Sequence, residues 1–304
     1  MDFLNLLAQQ SQPGAQPGLL GIIDQVARTP LSTVVLGVAV LTAVRIALHL
    51  TILKPQPVQY RPNSYKFGTL LNEFCDALIY AGVFVFLVIR PFVLQTFYIP
   101  SGSMVNTLLV RDYIVANKMV YRVSDPKPGD IAVFKPPQAA KEDKDADTDY
   151  IKRVIGTPGD LVEVKNRVLY RNGKRIEEPY VVYTTPVEGS NNLRFNIKSA
   201  AEVVDSDCPD FKLVKYKDRL IPLTVFGENV NSFSALEFRE SDPSVQSMLR
   251  SLPAEKVPAG YYLMMGDNRN GSFDSRYWGL VPRDSIIGRA EFIWMPFNRI
   301  GKVR

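Results

Sequence analysis

The chain has 304 residues, room for two membrane segments and one good-sized domain, and at 46% hydrophobic content any membrane portion is a minority. Its net charge of +5 is modest and its basic residues are scattered, which argues against a nucleic-acid groove and suits work beside anionic lipid. Its two cysteines, and the lack of any Cys-x-x-Cys or His-Glu-x-x-His spacing, speak for no metal and no cofactor.

Residues 1–30 form a tail rich in Gln, Gly and Pro without a basic n-region, so a cleavable signal peptide is not expected. Residues 31–53 are apolar, and 23 residues of helix reach roughly 35 Å against a hydrocarbon core of about 30 Å. Arg45 and His49, four apart on one helix face, fall in the second half, where an arginine can snorkel. A loop, 54–76, leads to a second apolar segment, 77–98. Its clean part stops at Arg90-Pro91, so Phe92–Tyr98 must complete the span or lie in the interface, with a kink at Pro91. Lys54, Arg61 and Lys66 face only Glu73 in residues 54–73, whereas the tail carries Asp2 and Asp24 against Arg28. The positive-inside rule puts that loop in the cytoplasm and everything after residue 99 outside. Cys75 and Cys208 then sit on opposite sides and cannot pair.

Residues 99–304 read as β-rich. Strands are predicted over Asp112–Val120, Asp130–Phe134, Tyr261–Met265 and Ile286–Trp294, and Leu161–Lys165 alternates at period two. Asn172-Gly173 between short runs signals a tight hairpin. Gln138–Asp149 is charged and reads as a loop. Residues 188–258 are polar with scattered apolar positions and receive no assignment beyond an inserted region.

Chemistry concentrates in three places. Pro100-Ser101-Gly102-Ser103-Met104 follows the second apolar segment directly. Residues two apart in an extended stretch face one way, so both hydroxyls can enter one cleft, one to attack and one to hold an oxyanion. The sole histidine, His49, lies in the first apolar segment, so a base for Ser103 has to be something else. Lys152, in Asp149-Tyr-Ile-Lys-Arg-Val-Ile-Gly156, has apolar neighbours that can bury one basic residue while Arg153 stays solvated. Burial lowers a lysine pKa towards the working range of a base. The third place, Gly266-Asp-Asn-Arg-Asn-Gly-Ser-Phe-Asp-Ser-Arg276, is dense in turn formers and mixed charge. Ser272 can orient the lysine there, and Asp274 and Arg276 can form a supporting ion pair. Each fragment alone is more often a polar turn, a solvated strand lysine or a surface loop than a site.

Taken together and in order, these motifs, with Arg111-Asp-Tyr-Ile-Val and Lys127-Pro-Gly-Asp-Ile-Ala-Val-Phe134, resemble the bacterial type I signal peptidases (leader peptidases), in their Gram-negative two-span form. The resemblance covers about residues 77–180 and 258–297. It implies a mainly β fold: two antiparallel sheets in a periplasmic domain behind two transmembrane helices of the inner membrane. It implies a serine endopeptidase that removes signal peptides from exported preproteins after Ala-x-Ala-like sites, with signal peptides and membrane lipid as partners. Ser103 matches the nucleophile and Lys152 the general base. The Ser101 hydroxyl and Ser103 amide match the oxyanion hole, and Ser272 the lysine-orienting residue. Asp274 and Arg276 match the supporting pair, with Asp267 in the same loop. Ile99, Met104, Tyr150, Ile151 and Phe273 match shallow pockets for small side chains. Asn270-Gly271 departs from the family's frequent Asp-Asn, and no cysteine lies near Cys208 to form the disulfide of some members. Two rivals stand beside this reading. A self-cleaving repressor-type Ser/Lys peptidase would need a DNA-binding segment and would not carry two spans. A membrane-anchored β-domain serving as a secretion scaffold would need none of Ser103, Lys152 and Ser272.

Overall fold

A computed structural model describes residues 29, 31–53, 65–140, 148–190, 194–226, 229–231 and 243–303. The tail 1–28, residues 54–64 and the charged stretch 141–147 lie outside the described residues. The chain divides into two compact units, meeting in sequence between Thr96 and Phe97.

The first unit contains two helices long and apolar enough to cross a membrane. Helix α1 spans Leu31–Thr51 and helix α2 spans Tyr65–Phe84. Their threonines turn inward on the backbone: Thr42 Oγ1 donates to the Val38 carbonyl (2.7 Å) and Thr69 Oγ1 to the Tyr65 carbonyl (2.9 Å). Such bonds let a hydroxyl sit in an apolar helix. Helix α2 begins at Tyr65, twelve residues ahead of the apolar segment read from sequence, because Phe67, Leu70, Leu71 and Phe74 continue an apolar stripe between the charges. Its regular α-helical winding ends at Phe84. Val85–Val93, which contains Pro91, is wound as a π-helix, and the chain is extended from Leu94. A proline without an N–H breaks the regular ladder, and a wider turn absorbs the break.

Arg45 does not simply reach for an interface. Its Nε lies 2.8 Å from Oδ1 of Asp76, joining α1 to α2. Were these helices to span a bilayer, an unpaired charge there would cost about 3 kcal/mol, a cost that this pairing would reduce. Arg45→Asp or Asp76→Arg alone is expected to loosen the pairing by an amount of that order, and the exchange R45D/D76R to restore it. Disulfide trapping of cysteines placed on the facing helices reads this, and an exchange no better than either single reversal would refute the pairing.

The second unit is mainly antiparallel β. Its larger sheet runs β1 (Leu94–Tyr98), β2 (Tyr113–Asn117), β15 (Ile286–Met295), β3 (Ile131–Phe134), β4 (Tyr150–Gly156), β13 (Tyr261–Met265), β14 (Val281–Pro282), with β16 (Gly301–Lys302) on β15. The ten-residue β15 serves two partners in turn, β3 through its first half and β2 through its second. Irregular register on both sides lets so long a strand bend. The second sheet runs β12 (Asn229–Asn231), β11 (Arg219–Phe226), β10 (Asp210–Tyr216), β5 (Val162–Lys165), β6 (Val168–Arg171), β7 (Lys174–Arg175). A separate ribbon pairs β8 (Thr184–Pro186) with β9 (Phe195–Ile197).

Asn172 and Gly173 join β6 to β7 with φ of +54° and +75°, the geometry a two-residue hairpin needs. The β10–β11 pair of the second sheet is buried on both faces. Phe211 and Leu213 join Val162, Val164 and Leu169 in one core, while Val214, Ile221 and Leu223 pack with Leu249 of the helix Pro243–Ser251 in another. Lys212 Nζ donates to the carbonyls of Arg250 (2.7 Å) and Leu252 (2.5 Å) and so closes that helix. Residues 188–258, unassigned from sequence, therefore supply half of the second sheet and its cover. Cys75 and Cys208 are buried free thiols.

Candidate active site

Lysine 152 occupies the middle of β4. On one side it pairs with Ala132 of β3. On the other, β13 pairs as far as Met265↔Arg153 and then leaves the ladder at Gly266, opening room beside the lysine. Ser103 enters that room. After extended Ser101 (φ −128°, ψ 161°) the chain makes a 3₁₀ turn, Gly102–Met104, that buries Ser103. The Ile99 amide on the Asp112 carbonyl and the Leu108 amide on the Met104 carbonyl close the loop (2.9 and 2.8 Å). Arg299 holds Asp112 at 2.8 and 2.9 Å from the far side.

The result is a hydrogen bond of 2.8 Å between Lys152 Nζ and Ser103 Oγ, with Lys152 only 5% exposed and Ser103 8%. Burial lowers the lysine from its ordinary 10.5 to about 8, against an upward pull from Asp274 and Asp267, and Arg276 adds to the lowering. A lysine in this range is largely protonated at neutral pH yet reaches its free-base form within a unit or so. Ser101 Oγ lies 3.5 Å from Ser103 Oγ, on the nucleophile's side of the turn.

Asp274 and Arg276 are wholly buried and paired in two places, Nε–Oδ1 2.8 Å and Nη2–Oδ2 2.9 Å. Burial pushes the Asp274 carboxyl up, but the Arg276 guanidinium and the Gly266 amide more than offset this and hold it below the usual carboxylate range. Asp274 Oδ2 accepts the Gly266 amide at 2.9 Å, which ties the pair to the point where β13 leaves the sheet. Gly266 has to be glycine. A β-carbon there would run into the Ser272 side chain and the Ser103 carbonyl, which converge on it from two sides. Ser272 is buried, its side chain lies against Gly266, and its hydroxyl adds to the lowering of the Asp274 carboxyl.

Asp267 supports a different residue. It accepts from Arg153 Nε (2.8 Å) and Nη2 (2.6 Å) and from Thr107 Oγ1 (2.5 Å). Arg153 is thus buried (4% exposed) and paired rather than solvated. Neither neighbour of the strand can face water when sheet and loops cover both faces. The five expected pocket residues divide between two cores. Ile99, Met104 and Ile151 share one with Leu108, Ile114 and Ile293, while Tyr150 and Phe273 pack with Phe134 and Trp278. Adjacent Tyr150 and Ile151 must point to opposite faces of β4.

Asn268 was not singled out by the sequence. Its Nδ2 donates to the Gly102 carbonyl (2.9 Å) and its amide to the Ser103 carbonyl (3.1 Å), so it tethers the nucleophile's own backbone. Gly271 leaves room for that carboxamide. Its place in the turn-rich motif was the only signal, and nothing in the spacing distinguishes it from its neighbours.

A family model described as signal peptidase, peptidase S26, matches residues 71–295. Signal peptidase I of Aquifex aeolicus (strain VF5) is 38% identical over 223 residues, 68% of this chain and 78% of that protein. Signal peptidase I of Buchnera aphidicola subsp. Schizaphis graminum (strain Sg) is 32% identical over 238 residues, 71% of this chain and 72% of its own. That of Pseudomonas fluorescens is 32% identical over 258 residues, 73% and 76%.

Proposed function

The chain belongs to the peptidase S26 family of signal peptidases, and we propose that it cuts exported preproteins after Ala-x-Ala-like sites with Ser103 as nucleophile and Lys152 as base. The observation that carries this reading is the 2.8 Å contact between a buried amine and a buried hydroxyl. Neutral Lys152 accepts the Ser103 proton as Oγ attacks the scissile carbonyl carbon. The Ser101 hydroxyl and the Ser103 amide receive the negative charge on the carbonyl oxygen. The C–N bond then breaks, Lys152 Nζ returns its proton to the leaving amine, and an acyl-serine remains. Water, deprotonated by the same amine, releases the acid and restores the serine. The buried Asp274–Arg276 pair keeps the loop that borders this space in one shape.

The enzyme works in this reading at the periplasmic face of the inner membrane, where a signal peptide's cleavage site leaves its apolar helix. The catalytic unit carries apolar surface suited to that place: Phe292, Phe297 and Ile300 are exposed. Beside them Trp294 packs edge-on against Tyr113 (5.9 Å), which in turn meets Tyr98 (5.2 Å). The detergent-solubilised protein, incubated with a secretory preprotein, should generate one new amino terminus directly after an Ala-x-Ala site. An untouched preprotein would overturn the reading.

A fragment starting at Tyr98 should bind vesicles and shift its tryptophan emission on doing so. Of the two tryptophans Trp278 is only 3% exposed, so the signal reports Trp294. Phe297→Asp should weaken that binding by about tenfold or more, the worth of one buried phenyl group. Emission indifferent to lipid would remove the membrane-facing surface from the account.

A further inference from the structure

The chemistry above leaves residues 178–190 and 194–198 without a task, although they wrap the catalytic loop. Glu178 takes two guanidinium nitrogens of buried Arg269 at 2.6 and 3.0 Å. Tyr180 lays its ring 3.8 Å from the Arg153 guanidinium. The Val182 amide donates to the Asp267 carbonyl (3.0 Å), and its own carbonyl accepts the Arg269 amide (2.9 Å). Asn270 then clamps Thr184, accepting its amide at Oδ1 and donating from Nδ2 to its carbonyl, both at 2.8 Å. The same Nδ2 donates to Asp207 Oδ1 at 3.1 Å. An aspartate at 270 can accept but not donate, so this clamp depends on the amide found here.

From that base the β8–β9 ribbon extends, Thr184↔Ile197 at one end and Pro186↔Phe195 at the other. The Phe195 ring lies against Gly102, between the two active-site serines: a β-carbon on Gly102 would overlap ring atoms Cζ, Cε2 and Cε1. Gly102 has the freest backbone in the turn, being without a side chain. Asn268 holds its carbonyl, and the ring closes off its α-carbon.

We infer that Phe195 is a positioning residue for Ser103, its ring standing in for the side chain that Gly102 lacks and fixing the turn that presents the hydroxyl to Lys152. The inference rests on the Ser103–Lys152 reading. A nucleophile displaced by an ångström can lose about 100-fold in rate, with substrate binding little changed.

The full chain in detergent, assayed on a peptide with an Ala-x-Ala site, tests this. Phe195→Ala should lower kcat by about 10- to 100-fold and leave KM within about threefold. Phe195→Leu should keep most activity. Phe195→Tyr should be worse than leucine despite its likeness to phenylalanine, because its hydroxyl is added at Cζ, one of the atoms that meet Gly102. Gly102→Ala should cost about 100-fold with Phe195 present and regain at least about tenfold in the G102A/F195L double variant, where the methyl group has space. Wild-type kcat in F195A, or equal damage from G102A whether Phe or Leu stands at 195, would overturn the inference. If F195A fails to fold, the G102A and G102A/F195L comparison decides by itself. A wild-type chain that leaves the peptide intact sinks the dyad reading instead, so the two failures are told apart.

Discussion

Replacing Ser103 or Lys152 with alanine is expected to lower kcat by about 10⁴-fold or more, each change costing nearly as much as both together. The two side chains act as one unit: without the amine nothing takes the proton of a buried hydroxyl, and without the hydroxyl the amine has nothing to activate. Among the described residues their 2.8 Å contact is the one hydrogen bond the amine makes. His49→Ala should leave activity intact, since that side chain belongs to α1 in the other unit. The measurement is single-turnover cleavage of a preprotein, with thermal unfolding as the control for folding. Two outcomes would sink the dyad: loss of activity in a folded H49A protein, or single losses that multiply in the double variant as independent contributions do.

Much of this was legible because the chemistry is written in short local motifs. Lys152 alternates within a strand, Asn172-Gly173 is a turn of obvious chemistry, and the mainly β character follows from the strand patterns. What stayed hidden has physical reasons. The β10–β11 pair buries both faces against different cores, so its period-two pattern blurs and residues 188–258 look merely polar. Two further hairpins reverse at Asn166-Arg167 and Lys217-Asp218, with φ between +44° and +67° and no glycine to announce them. Arg153 was expected in water because a charged side chain beside a buried one usually stays wet, whereas Asp267 waits for it 114 positions away. Phe195 on Gly102 and Asn268 on the Gly102 carbonyl are contacts of the same kind: long-range, made by side chains whose neighbours in sequence predict nothing about them. The helix that starts at Tyr65 was missed because its charged residues, Lys66, Glu73 and Asp76, interrupt an apolar stripe that is continuous only in three dimensions.

The rate of cleavage should fall about tenfold per pH unit below about 8 and level off above it, because only the free base of Lys152 can take the proton. The same burial fixes the sign of a stability effect. The folded lysine titrates at about 8 and the unfolded one at 10.5, so between these values the unfolded chain holds more protons. Stability therefore rises with pH across that window, and below it the full penalty persists, about 3 kcal/mol at 1.4 kcal/mol per unit. Lys152→Met, which keeps the length and drops the charge, should accordingly unfold at higher denaturant at pH 7 while being inactive, and its advantage should vanish as pH climbs past 10.5. Urea titrations at pH 7 and at the highest pH the wild type survives, beside a pH–rate profile, check both halves. A rate still climbing beyond pH 10 would make Lys152 an ordinary lysine, and a K152M protein less stable than wild type at pH 7 would show that burying this amine carries no cost for the fold to bear.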